Sequence, residues 1–324
     1  MQVREFTDGC EVSQVLLVRE VETRQRRDGS DYLRVLLGDR TGSVPAMVWE
    51  DVERLRECCL PGGVVHVTGR FAIHVRYGPQ LAVQRLRVAA RHEYAHEDLA
   101  DGPARGAEQM EADLRELLRT VQSPHLRRLL VTIFGQESPL WRRYREAPAA
   151  KLYHQAYRHG LLEHSLTVAQ AVSALSPIFP GIDRDLAVTG ALVHDIGKLD
   201  AYELDGDVVS LADDGRLQGE IPLGYYRIRR AIERLEGFPA DLEQALLHII
   251  LSHHGSLEHG SPIVPCTREA TLVHMVDNLG GRLGSFDRLE KQLPAGEQWS
   301  AWDKALGGGA YFAARALEAQ RAAA

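Results

Sequence analysis

His164 in GLLEHSL, the pair His194 and Asp195 in ALVHDIGK, the pair His253 and His254 in ILSHHG, and Asp277 in LVHMVDN are residues of the types that hold divalent metals. Each falls on an expected helix or helix end, so folding could gather them from distant parts of the chain. Imidazoles and carboxylates without thiolates favour Mn, Fe, Co or Ni, admit Zn, and argue against Ca or an all-oxygen Mg cage. Lys198 comes three positions after Asp195 and four after His194. On a helix that spacing sets its ammonium on the same face as the pair, within reach of a substrate phosphate. The chemistry on offer is that of a bound divalent ion with a cationic side chain beside it.

The elements that must carry these residues are helical. Met110, Leu114, Leu117, Leu118 and Val121 recur at helical spacing, and Leu126, Leu129, Leu130 and Ile133 do so again after Ser123-Pro124, a capped helix start. The pattern continues beyond them, broken by a small β-excursion around residues 205–217 and a loop at 255–265. The N-terminal part reads differently. Val15–Val21, Tyr32–Leu37, Val44–Trp49, Val64–Val75 and Leu81–Val88 are short β-runs separated by Gly, Asp and Pro turn signals, with a short helix, Asp51–Cys58, after the third.

Five strands with that helix follow the order of the OB-fold barrel, and DYLRVLLGDRTGSVPAMVWE resembles the strand 2 to strand 3 hairpin of nucleic-acid-binding OB domains. Alternation along the second strand sets Tyr32 and Arg34 opposite Leu33, Val35 and Leu37. Trp49, Phe71, His74, Arg76 and Tyr77 would extend that platform, because aromatic side chains stack on any base. Tyr32, Arg34, Trp49, Phe71 and Arg76 are therefore the candidate nucleic-acid-binding set. HEYAHEDLADGPARG, charged and without apolar period, is the expected linker. The expected organisation is multidomain: a five-stranded OB-fold β-barrel over 1–91, a linker over 92–108, an all-α domain over 109–312 and an Ala-rich tail over 313–324.

The order H…HD…D resembles the HD superfamily of phosphohydrolases. More narrowly, HGLLEHSL, LVHDIGKLDAYEL and ILSHHGSLEHGSPIVPCTREATLVHMVDNL behind an OB-fold resemble the YhaM-type 3′-to-5′ exoribonucleases over nearly the whole chain. The resemblance implies that His164, His194, Asp195 and Asp277 hold a first ion, and that Asp195 bridges to a second served by His253 and His254. It implies one or two ions per chain, Mn first, with Fe, Co, Ni or Mg as alternatives. The family commonly has GHI where this chain reads Gly219-Glu220-Ile221, so Glu220 either replaces a second-site histidine as ligand or leaves a single-ion centre. His159 stands where Gly is usual. Asp195 and Lys198 are the expected catalytic pair, and Lys198, with His154 and Arg282 behind it, the expected phosphate-binding group.

The implied reaction is metal-assisted hydrolysis, in which a metal-bound water attacks phosphorus while the ion neutralises the non-bridging oxygens. Nucleoside 5′-monophosphates would leave the 3′ end of single-stranded RNA, with single-stranded DNA as a second substrate. Two other functions fit the same motifs. One is a phosphohydrolase of free or signalling nucleotides with a regulatory barrel; the other is a non-catalytic nucleic-acid-binding accessory factor, which Glu220 invites.

Bulk properties bound these readings. A chain of 324 residues exceeds one ordinary core and suits two unequal domains, and 44% hydrophobic with 26% charged residues are globular values. No apolar run approaches the roughly 18 residues that span a bilayer, and the opening MQVRE lacks a signal-peptide core, so a cytoplasmic protein without a membrane partner is expected. Cys10, Cys58, Cys59 and Cys266 show no CxxC spacing, which suits a reducing compartment. The net charge of −7 conceals a split: residues 1–92 carry 14 Arg and no Lys against 12 acidic groups, leaving +2 there and −9 on the remainder. That surplus permits a local Arg stripe to meet phosphates without strong non-specific binding. Symmetric homo-oligomerisation is compatible with a protein of this kind.

Overall fold

The computed structural model describes residues 1–26, 29–74, 78–99, 102–103, 105–150, 155–205, 208–293 and 297–313. The chain divides into two compact units, one of Met1–Asp101 with Gly206–Val208 and Ser285–Ala324, the other of Gly102–Asp205 with Val209–Gly284. The sequence puts the end of the helical domain at 312, whereas the contacts return the chain to the first unit from Ser285, where Lys291 lies beside Gly42. No helix among the described residues is long and apolar enough to cross a membrane.

In the first unit β1 (Glu11–Gln25), β2 (Asp31–Asp39), β3 (Gly42–Val48), β4 (Val64–His74) and β5 (Gly78–Val88) close into a barrel in the order β1-β2-β3-β5-β4. Closure comes from the one parallel pair among them, Ala46 opposite Leu81. β1 is long because it serves two neighbours, pairing with β4 over Glu11–Leu17 and with β2 over Leu17–Gln25. A bulge between Val18 and Glu20 lets it turn that corner. A second bulge lies at Thr68/Gly69, where a Cβ on Gly69 would strike the carbonyl of Ala82. Leu33, Val35 and Leu37 point inward and are fully buried, as their alternation with Tyr32 and Arg34 requires. Helix α1 (Val52–Cys58) follows β3 and contributes Leu55 to the barrel core, and a short α2 (His96–Leu99) follows β5. This is the OB-fold order.

The second unit is built from α3 (Ala107–Thr120), α4 (Pro124–Phe134), α5 (Pro139–Glu146), α6 (Gly160–Leu175), α7 (Arg184–Val193), α8 (Lys198–Ala201), α9 (Asp213–Leu217), α10 (Glu220–Ile232), α11 (Ala240–Ser252) and the first part of α12 (Arg268–Gln292). A two-stranded ribbon, β6 (Tyr202–Asp205) and β7 (Val208–Leu211), stands earlier than the β-excursion expected around 205–217, the last residues of which form α9 instead. α4 and α5 begin at prolines, where the missing N–H has no helical partner to lose, and the Asp183 carboxylate caps α7 by accepting from the Leu186 N–H at 3.0 Å. α6 and α7 read as nearly continuous apolar runs because they form the centre of the unit, with Leu161, Leu162, Leu166, Ala187, Val188 and Ala191 fully buried.

Glycine at 190 lets α7 approach Ile249 of α11. Glycine at 197 matters more to function. A Cβ there would run into the Glu220 carbonyl and the Gly224 amide, so its absence brings the start of α10 against the turn that follows His194 and Asp195. α8 is then fastened from both sides. Asp200 accepts from Arg143 of α5 at 2.9 Å and from Arg227 of α10 at 3.1 Å through Nε, with a second, closer contact to the same guanidinium.

These arginines, working against the cost of partial burial, hold the Asp200 carboxyl below its ordinary value. A group depressed in the folded state stabilises above its unfolded value, and that contribution fades as pH falls through the folded value. Asp200→Asn is therefore expected to cost about 1–2 kcal/mol near neutrality. In denaturant titrations the difference between variant and wild type should shrink below about pH 4, the ordinary carboxyl range. A difference that stays constant down to pH 3 would contradict the role assigned to these ion pairs.

Candidate metal centre

Six residues from four stretches of chain meet at one point. His164 projects from α6, His194 and Asp195 end α7, His253 and His254 end α11, and Asp277 projects from α12. The His164 Nε2 lies 3.2 Å from the His194 Nε2, 3.2 Å from Asp195 Oδ2 and 3.1 Å from Asp277 Oδ1. His194 Nε2 is 3.4 Å from Asp195 Oδ2 and 3.8 Å from Asp277 Oδ1. On the other side of Asp195, its Oδ1 lies 3.5 Å from His253 Nε2, and Asp195, His253 and His254 form a second group with ligand atoms within 4.8 Å of one another.

What turns the imidazoles inward is visible at their other nitrogens. His194 Nδ1 bonds to the Ala191 carbonyl at 2.7 Å and His253 Nδ1 to the Ile250 carbonyl at 2.8 Å, each three residues back on its own helix. Those carbonyls belong to final helical turns, which lack intrahelical donors, so each imidazole satisfies an orphan acceptor while aiming Nε2 at the centre. His254 Nδ1 bonds to the His259 carbonyl at 2.9 Å, and His164 Nδ1 to Gln155 Oε1 at 3.1 Å.

Burial should discourage charge here, with Asp195 only 2% exposed, yet the neighbours reverse that. Against desolvation, Lys198 and His194 hold the Asp195 carboxyl well below the ordinary range, and His164 and His194 do the same for Asp277. In return the carboxylates lift His164, and lift His194 to about 10, although burial alone would lower both. Farther from Asp277, burial and His253 lower His254. The pocket thus demands positive charge. Asp195 Oδ1 and His253 Nε2 add a sharper sign, being buried and without hydrogen-bond partners though 3.5 Å apart. A cation shared between such atoms would relieve both, so the residues present fit a divalent metal.

Glu220 opens α10 with Oε1 3.6 Å from His254 Nε2, on the His253–His254 side of the cluster. Lys198 Nζ is 2.6 Å from Asp195 Oδ2 and 14% exposed. His154 and Arg76 lie outside the described residues, as does Tyr77. Arg282 is exposed on α12, and His159 takes a left-handed conformation with φ of 70° at the start of α6. Sequence reasoning misses Gln155, Ser261, whose hydroxyl accepts from the His254 N–H at 3.0 Å, and His274, whose Nδ1 bonds to the His253 carbonyl at 2.7 Å. His274 stands one helical turn before Asp277, a spacing that could have revealed it; the two loop residues carry no comparable signal.

On the barrel, the Tyr32 and Trp49 rings stack at 4.8 Å, with the Arg26 guanidinium 4.8 Å from the Trp49 ring centroid and bonded to the Trp49 carbonyl. Trp49 is 45% exposed. Arg34 is half-buried and pairs with Glu22 at 3.4 Å. The expectation for Phe71 is corrected: it is 6% exposed, packs against Phe6 at 5.6 Å, and shares the inward parity of Val65 and Val67 on β4.

Residues 161–281 match the family model of the HD domain. Three curated relatives, each named 3′-5′ exoribonuclease YhaM, align with most of the chain. The Geobacillus sp. (strain WCH70) protein is 30% identical over 89% of this chain and 88% of its own length, and the Bacillus subtilis protein 29% over 89% and 90%. The Bacillus licheniformis protein is 30% identical over 89% and 90%. An OB-fold barrel, an HD domain whose span encloses all six converging residues, and relatedness along nearly the full length agree, and the chain belongs to the YhaM family of 3′-5′ exoribonucleases.

Proposed function

We propose that this chain is a divalent-metal-dependent 3′-to-5′ exoribonuclease that hydrolyses single-stranded RNA to nucleoside 5′-monophosphates. The observation that carries the reading is the meeting of imidazoles and carboxylates around Asp195 Oδ1 and His253 Nε2, both buried without hydrogen-bond partners. The exoribonuclease activity for which the relatives are named supports the substrate class. In this reading His164, His194, Asp195 and Asp277 hold a first ion, and Asp195, His253, His254 and Glu220 a second. Mn is the proposed ion, since mixed nitrogen and oxygen donors suit it and neither set offers sulfur. Bound there, a divalent ion would supply an activated water and neutralise charge on the phosphate.

The chain's own groups do the rest. Asp195 stays ionised because Lys198 sits against it, and the Lys198 ammonium, at the edge of the cluster, is the proposed phosphate contact. Tyr32 and Trp49, with Arg34 beside them, are the proposed base-stacking surface of the barrel. Stacking on aromatic rings does not read the 2′-hydroxyl, so we include single-stranded DNA as a second substrate. A cytoplasmic setting, where RNA is processed, follows from the activity proposed.

Asp195→Asn should lower hydrolysis of a labelled RNA oligomer by at least about 10³-fold, as expected when a metal-bridging group loses its charge. Elemental analysis of the same protein should find less bound metal, while RNA binding by fluorescence anisotropy persists. Wild-type turnover by that variant would refute the assignment of the centre. Tyr32→Ala and Trp49→Ala should each weaken single-stranded RNA binding by about 1–3 kcal/mol, a roughly 5- to 150-fold rise in Kd, with little change in kcat at saturation. Unchanged Kd for both would remove this face of the barrel from the proposal.

A further inference from the structure

Gln155 sits in a backbone conformation that side chains avoid. Its φ is 58°, and that of His159 four residues later is 70°, both in the left-handed region where neither residue has glycine's freedom. The surroundings impose this. The Ala149 N–H donates to the Gln155 carbonyl at 3.1 Å, a Cβ on Gly160 would collide with that carbonyl, and His159 Nδ1 bonds to the Arg145 carbonyl at 2.6 Å.

The Gln155 side chain is equally constrained. Its Nε2 donates to Glu163 Oε2 at 3.3 Å, and the Tyr157 hydroxyl donates to the same oxygen at 2.5 Å. Glu163 Oε2 accepts from both, so the amide turns its NH₂ toward Glu163 and its oxygen toward His164. That oxygen also only accepts, so the His164 Nδ1 at 3.1 Å must carry hydrogen. The lone pair of a neutral His164 is then on Nε2, the atom that faces Asp195 and Asp277.

We propose that Gln155 is a positioning residue that selects the metal-binding tautomer of His164, with Glu163 fixing the amide and the amide fixing the imidazole. The proposal rests on the metal centre described above. It also separates His164 from its partners: His194, His253 and His254 direct their Nδ1 atoms to backbone carbonyls, which substitution leaves in place, whereas His164 relies on a side chain. Gln155 is thus a point at which a change outside the ligand set tunes affinity for the ion.

Two variants of the full chain separate this role from packing. Gln155→Gly removes the side chain and relieves the left-handed backbone, and Gln155→Met keeps most of the volume but removes the acceptor oxygen. Titration calorimetry with cobalt(II) should find both variants about 10- to 100-fold weaker than wild type. Thermal melts of the metal-free proteins check that the variants are folded. Long-range proton–nitrogen spectra of wild type loaded with zinc(II), a diamagnetic probe, should place the His164 ring hydrogen on Nδ1. Gln155→Met binding cobalt(II) as tightly as wild type, or His164 carrying its hydrogen on Nε2, would overturn the proposal alone. Wild type that takes up no cobalt(II) would sink the metal centre and this inference with it.

Discussion

A carboxylate removed from water must be matched by opposite charge, and Asp195 is the place where this chain meets that constraint. An isolated buried ion costs several kcal/mol even after the protein relaxes. Here the compensation is divided. Lys198 answers one oxygen at 2.6 Å with His164 and His194 close behind, while the other oxygen faces His253 at 3.5 Å without a hydrogen bond. Asp277 repeats the demand on the far side of the same imidazoles. The helices that end or begin at this point must therefore arrive together, because any one of them alone would strand a charge.

The packing around the centre serves that convergence. Gly197 admits the α10 backbone, Gly190 admits α11, and Asp200 ties α8 to α5 and α10. None of these residues belongs to the proposed ligand set. They govern distance instead, and a metal-binding cluster tolerates little error in distance. Glu220 reaches His254 only because the turn at Gly197 is bare.

Much of this was legible in the residue order. The His and Asp motifs are local strings with distinctive neighbours, and their helical settings follow from apolar periodicity, so both the convergence and the division into barrel and helices could be anticipated. Phe71 is instructive because alternation with Val65 and Val67 already marks it as inward, whereas its aromatic character suggests a stacking surface. Gln155 was not legible. It lies nine positions before His164 in an aperiodic loop, and its relevance depends on a left-handed turn and a buried carboxylate that no spacing rule encodes. The return of the chain to the first unit at Ser285 was hidden for a related reason, since α12 runs unbroken through that point.

The use of His194 and His253 as caps for their own helices bears on how the centre assembles. Each imidazole is oriented by a carbonyl three residues away, so its aim is a property of a finished helix end and needs no partner from elsewhere in the chain. Local bonds of this kind form on the timescale of helix formation, far ahead of the long-range docking that brings α6 and α12 alongside. Two of the four imidazoles can thus be pre-aimed while the domain is still open, leaving the later steps of folding to deliver ligands to a half-built cradle.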